Sequence, residues 1–80
     1  MKSRWSSDVR LKFSAMSAVV VISESWTASR ILLTRWPQTS GTAFWVAQEI
    51  CLAATEGRAS HDEAREAFVE AAREALILID

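Results

Sequence analysis

The spacing of apolar residues changes period once along this chain, and that change limits what it can fold into. Val9, Leu11 and Phe13 alternate with Arg10, Lys12 and Ser14, the period of two of a half-buried strand. From Ser25 onward apolar residues recur every three to four positions, the period of a helix with one buried face. Strands first and helices after predict an α+β domain: an N-terminal two-stranded β-hairpin, then three α-helices, the last two forming an antiparallel helical hairpin.

The strands are expected at about 8–14 and 18–23. The second, Ala18-Val19-Val20-Val21-Ile22, is apolar at every position, so both faces want cover while helices of the same chain cover only one. The connection holds neither Gly nor Pro, which predicts a loose loop through Ala15–Ser17 rather than a tight primed turn. A ribbon of two strands also leaves open edges, an invitation to strand-to-strand dimerisation.

Ser25 is placed to cap a helix over 25–36, with Ala28, Ile31, Leu32 and Trp36 on one stripe and Pro37 stopping continuation. After the polar loop Gln38-Thr39-Ser40-Gly41, a second helix over 42–56 presents Ala43, Val46, Ala47, Ile50, Cys51, Ala53 and Ala54 and ends at Gly57. Ser60-His61-Asp62-Glu63 has the spacing of a capping box and opens a third helix over 60–77. Its inward face is Ala64, Ala67, Phe68, Ala71, Ala72 and Ala75. Only Arg58, Ala59 and Ser60 follow Gly57, which forces the last two helices into a hairpin.

Eighty residues form one domain, 1–80, and a chain half apolar and 24% charged has the balance of a soluble globular protein. Thirteen of those residues are alanine, good helix formers that bury little area, so the core is marginal and a partner or second copy would add burial. The net charge of -1 conceals a split: residues 1–36 carry +4 and residues 37–80 carry -5. Two such halves attract each other, or meet different partners.

A lone cysteine makes no internal disulfide, so a reducing compartment, the cytoplasm, is expected. The uncharged run Phe13–Ser23 is not read as a secretory signal, because Asp8 breaks the basic stretch before it and Ser14 and Ser17 dilute it. No run approaches the length of a membrane span.

Several landmarks form a set: Trp5 and Val9-x-Leu11; Ala28 and Leu32-Leu33 leading to Arg35-Trp36-Pro37; Gly41, Ala47 and Cys51-Leu52-Ala53-Ala54; Gly57-Arg58, Ser60 and Ala64-Arg65; Phe68, Ala71-Ala72 and Ala75. In these the chain resembles the small bacterial family designated domain of unknown function 982, over nearly its whole length. It departs from the family at Asp8, where proline is frequent, and in the strand connection, which lacks the usual glycine. The resemblance implies a small α+β domain and brings no activity, cofactor or catalytic residue with it.

The residues themselves offer little chemistry. One His, one Cys, no Tyr and no Asn leave no material for a triad or a four-ligand zinc site. Cys51 lies on an apolar face, where a thiol is a small hydrophobe, and His61 reads as a solvated residue at a helix start. Glu63, Glu66, Glu70 and Glu74 share one side of a helix and read as a solvated face. No catalytic, cofactor or metal residue is assigned.

Trp45 and Leu52, a heptad apart and outside the main stripe of their helix, form with Trp36 a candidate interaction surface. Arg4, Arg10, Lys12, Arg30 and Arg35 form a candidate basic surface, the ingredient of a nucleic-acid site. The leading expectation is a non-enzymatic module acting through protein contacts, including self-association; a nucleic-acid-associated regulator is the alternative and an enzyme the remotest reading. Neither membrane nor metal is expected as a partner.

Overall fold

A computed structural model describes residues 4–37 and 41–79. Gln38, Thr39 and Ser40 of the expected polar loop, and Lys2 of the basic half, lie outside the described residues. The order of elements is β1 (Arg4–Leu11), β2 (Val20–Glu24), α1 (Ser25–Thr34), α2 (Thr42–Thr55) and α3 (His61–Glu74). This is the expected α+β arrangement, with α2 and α3 packed closely as an antiparallel pair.

β1 and β2 are antiparallel, with Val9 opposite Ile22 and Leu11 opposite Val20. Trp5, Val9, Leu11 and Ile22 point into the core. The strand begins earlier than the alternation predicts, because a shift in register between Arg4 and Val9 lets β1 bulge and still bury Trp5. The connection turns without glycine. Ser17 donates its N–H and its hydroxyl to the Ser14 carbonyl, and Ser14 N–H donates back to Ser17 Oγ at 3.0 Å.

α1 follows β2, α3 lies against β1, and α2 packs against both helices, most extensively against α3. α1 stops at Thr34, two residues before the expected end, since the residue ahead of Pro37 is driven out of helical conformation. α2 ends at Thr55, and Gly57, two residues on, takes a φ of 82°, the left-handed position that closes a helix. There Gly57 N–H donates to Ala54 O and Arg58 N–H to Ala53 O, a Schellman pair. The capping box at the start of α3 is complete. Glu63 N–H donates to Ser60 Oγ and Ser60 N–H to the Glu63 carboxylate, each at 3.0 Å. These bonds hold the Glu63 carboxyl below its usual pKa.

The chain beyond α3 corrects the expected helix to 77. α3 ends at Glu74, and Leu76 takes a φ of 61°, the left-handed position held by Gly57 after α2. Leu76 N–H then donates to Arg73 O and Ile77 N–H to Ala72 O. The chain turns back along β1, where Lys12 N–H donates to Ile77 O at 2.9 Å and Ile79 N–H to Arg10 O at 3.0 Å. Leu78 bridges Leu11, so this edge of β1 is covered near its end, and the open edge belongs to β2. On β2, Val21 is 53% exposed, the face that no helix of the chain covers.

A string of rings runs through the core. Phe68, fully buried, lies between Trp5 at 5.5 Å and Trp36 at 5.4 Å, centroid to centroid. Phe13 meets Trp36 edge-on at 6.4 Å, and the Arg35 guanidinium sits 5.1 Å above Phe13. Around them Val9, Leu11, Ile22, Leu32 and Phe44 fill the core together with the small side chains of Ala28, Ala47, Ala64, Ala71 and Ala72.

Candidate functional site

Trp45 and Leu52 are exposed and share a groove. They leave α2 on the side facing α1 and, with Leu33 and Ser29 of α1 and Gln48 and Glu49 of α2, line a depression of about 400 Å³. Leu33 is 65% exposed, Trp45 59% and Leu52 46%. Trp45 is held there by an edge contact with the core ring of Phe44, at 5.2 Å. Among the described residues Glu49 is the only charged side chain lining the groove. Leu33 was missed in sequence; its signal is the spacing Trp26, Ser29, Leu33, a second stripe on α1 behind the buried Ala28, Ile31 and Leu32.

Trp36 does not belong to this surface. It is 8% exposed and sits against Phe68 and Phe13. The turn that Pro37 enforces folds the ring back onto the core. Its Nε1 is buried and has no hydrogen-bond partner among the described residues; an N–H left so costs about 1–3 kcal/mol.

The five cations of the candidate basic surface are all exposed, yet they do not form one cluster. Arg4 and Arg10 stand toward opposite ends of β1, whose eight residues span about 25 Å. Arg4 is opposite Glu24 in the sheet, and Asp8 lines a polar depression with Arg10 and Arg65. Arg65 Nε also donates to Ser7 O at 2.7 Å. Arg35 is engaged by Phe13, and Arg30 lies on the exposed side of α1.

Three polar groups, those of Trp5, Ser25 and His61, form a bridge through the fold. Trp5 Nε1 donates to Ser25 Oγ at 2.9 Å, and Ser25 Oγ lies 2.8 Å from His61 Nδ1. Ser25 therefore does not cap α1. Glu24 occupies the cap position without a side-chain bond, and Ser25 is the first helical residue, 1% exposed. His61, expected in solvent, is half-buried on this bridge. A hydroxyl bonded to an imidazole is the geometry of an activated nucleophile. Here the oxygen is walled in, accepts the indole N–H, and lines none of the grooves. Cys51 is fully buried with Sγ 3.7 Å from Ala64 O, and burial pushes its thiol up to about 12.

Between α2 and α3 lies a second groove of about 570 Å³. Its floor is Val46, Ile50 and Ala67, and Glu63, Glu66, Glu70 and Glu74 stand along it. Val46, expected inward, is 41% exposed because Phe44 takes the core position instead. Glu74 has a further role: its carboxylate accepts from Phe44 N–H at 3.2 Å and from Ala43 N–H at 3.4 Å, capping α2 from another helix. Among the described residues no group of three or more His, Cys, Asp or Glu is arranged to hold a metal ion, and no helix is long and apolar enough to cross a membrane.

A two-stranded antiparallel sheet followed by three helices, with apolar grooves on the helical side, defines a small α+β domain. Over residues 8–79 it matches the family model described as protein of unknown function (DUF982), and the chain belongs to that family. No curated protein and no solved structure matches it.

Proposed function

We propose that this protein acts by protein contact, pairing with a second copy of itself through the α1/α2 groove. The observation that carries the reading is the convergence of Leu33, Trp45 and Leu52, each about half exposed or more, on one nearly uncharged depression. Exposed apolar clusters of this kind mark interaction surfaces, and burying the exposed half of such a side chain contributes about 1 kcal/mol. A two-fold axis would bring the same face of each copy together. With Glu49 the only charged group in the lining among the described residues, such a face meets its own copy with little like-charge repulsion.

The basic residues support the nucleic-acid alternative less well, since Asp8 and Glu24 are interleaved with them. Ser25, His61 and Cys51 offer no open reactive centre, in keeping with a role that is not enzymatic.

Sedimentation equilibrium over a hundredfold range of concentration tests the reading. Wild type is expected to move from monomer toward dimer mass, and Trp45→Ala/Leu52→Ala to remain monomeric with an unchanged circular dichroism spectrum. A wild type that stays monomeric throughout, or a double variant that dimerises equally, would overturn it.

A further inference from the structure

We infer that the α2/α3 groove is a docking site for a cationic amphipathic helix of a partner protein. The floor is apolar and accessible, with Val46 41% exposed and Ile50 and Ala67 half-buried, so it has area to give to an apolar stripe. The charge along it has one sign. Glu63, Glu66, Glu70 and Glu74 line the groove, and among the described residues no Lys or Arg does. One carboxylate of the row has a neighbouring cation on its own helix, Glu70 with Arg73 at 3.6 Å, and that pair is well exposed and weak. The nearest other cation on α3, Arg65, is turned away to the Ser7 carbonyl.

Charge and shape together select the occupant. A second copy laid on this groove by a two-fold axis would set one glutamate row against another, which opposes self-pairing here and separates this groove from the nearly uncharged one between α1 and α2. From Glu63 to Glu74 the groove follows α3 for about 16 Å, the length of roughly three helical turns. A helix of that length presents apolar side chains at i, i+3 or i+4, and i+7 to Val46, Ile50 and Ala67, and its flanking Lys or Arg to Glu66 and Glu70, the two carboxylates of the row that cap no helix. Cations add on-rate and orientation, while the apolar floor distinguishes an amphipathic helix from a merely basic segment.

The probe is a synthetic Leu/Lys peptide of about 18 residues with leucines on one helical face, titrated into the full chain and followed by amide NMR shifts. Two controls share its length: a scrambled peptide of the same charge, and one with Glu for every Lys. The expected result is shifts confined to the Val46–Ile50 and Glu66–Glu70 segments, weakened roughly tenfold or more by Glu66→Lys/Glu70→Lys and by raising salt from 0.05 to 0.5 M. Glu66→Gln/Glu70→Gln, which removes charge without reversing it, should fall between. Shifts centred on Leu33 and Trp45 or on the ribbon would overturn the assignment. So would equal binding of the scrambled peptide, affinity within about twofold after charge reversal, or concentration-dependent shifts of the same amides without peptide. Trp45→Ala/Leu52→Ala should bind the probe as wild type does, so this result and that of the self-association test are read independently.

Discussion

At the scale of single residues the structure turns on Ser25. A serine before an apolar stripe reads as a helix cap, and the helix does begin there, but its hydroxyl is spent elsewhere. It accepts the Trp5 indole N–H from across the sheet and reaches His61 at the start of α3. With one lone pair so used, the hydroxyl keeps a second lone pair and its proton, and the His61 tautomer sets which of them meets Nδ1. Removing the hydroxyl strands a buried N–H. Ser25→Ala is therefore expected to cost about 1–3 kcal/mol in urea unfolding, and in the Trp5→Phe background, where the stranded donor is gone, the same substitution is expected to cost less. A cost below about 0.5 kcal/mol for Ser25→Ala would mean that Trp5 finds another acceptor. None of this was legible in sequence, because the bridge joins residues 20 and 36 positions apart that only the packed fold brings together. Cys51 was legible: its place on an apolar stripe sufficed to predict burial, and it is fully buried.

At the scale of elements, the two Schellman endings show where sequence signals hold and where they stop. After α2 the left-handed residue is Gly57, a recognised stop, and the helix ends where expected. After α3 the same position is Leu76, a residue that reads as more helix, so the turn into the Ile77–Ile79 segment has no local signal. What enforces it is tertiary. Ile77 is 5% exposed, and the segment's backbone bonds lie on β1, so the chain accepts a strained residue to gain them. Leu76 itself is 90% exposed and gains nothing in return. An L-residue in this conformation costs about 1–2 kcal/mol, while glycine there adds about 0.4–1 kcal/mol of unfolded-chain entropy. Leu76→Gly should therefore raise stability by roughly 0.5 kcal/mol, read as a higher urea midpoint at constant slope. A lower midpoint would show that Leu76 makes contacts that its exposure conceals. The start of α2 was equally unreadable: Gly41 supplies no capping side chain, and the cap comes from Glu74, which in sequence looks like one more solvated glutamate. A Cβ on Gly41 would collide with that carboxylate, so glycine and glutamate serve one cap.

At the scale of the whole molecule, the distribution of large side chains carries the argument. Two of the four tryptophans, Trp5 and Trp36, build the core with Phe68, while Trp26 and Trp45 are 47% and 59% exposed. A core rich in alanine has little area to spare, yet bulk that would enlarge it is placed on the helical surface beside Leu33 and Leu52. If that surface meets a second copy, the missing burial is recovered between molecules, and stability becomes a function of concentration. Linkage gives the size: at about a hundred times the dissociation constant, association adds about 2.7 kcal/mol to the unfolding free energy. For a domain of this length each kcal/mol moves the thermal midpoint by about 4–8 °C. The melting temperature of wild type should therefore rise by ten degrees or more, on the order of 10–20 °C, between concentrations well below and well above that constant. Trp45→Ala/Leu52→Ala should melt at one temperature across the range, because its unfolding no longer releases a partner. A wild-type melting temperature independent of concentration, measured by calorimetry over the same range, would assign the exposed Leu33, Trp45 and Leu52 to some other protein. The α2/α3 groove enters this balance differently. Its glutamates lie outside the α1/α2 face, so raising salt should leave the concentration dependence nearly unchanged, as expected for an interface built on apolar area.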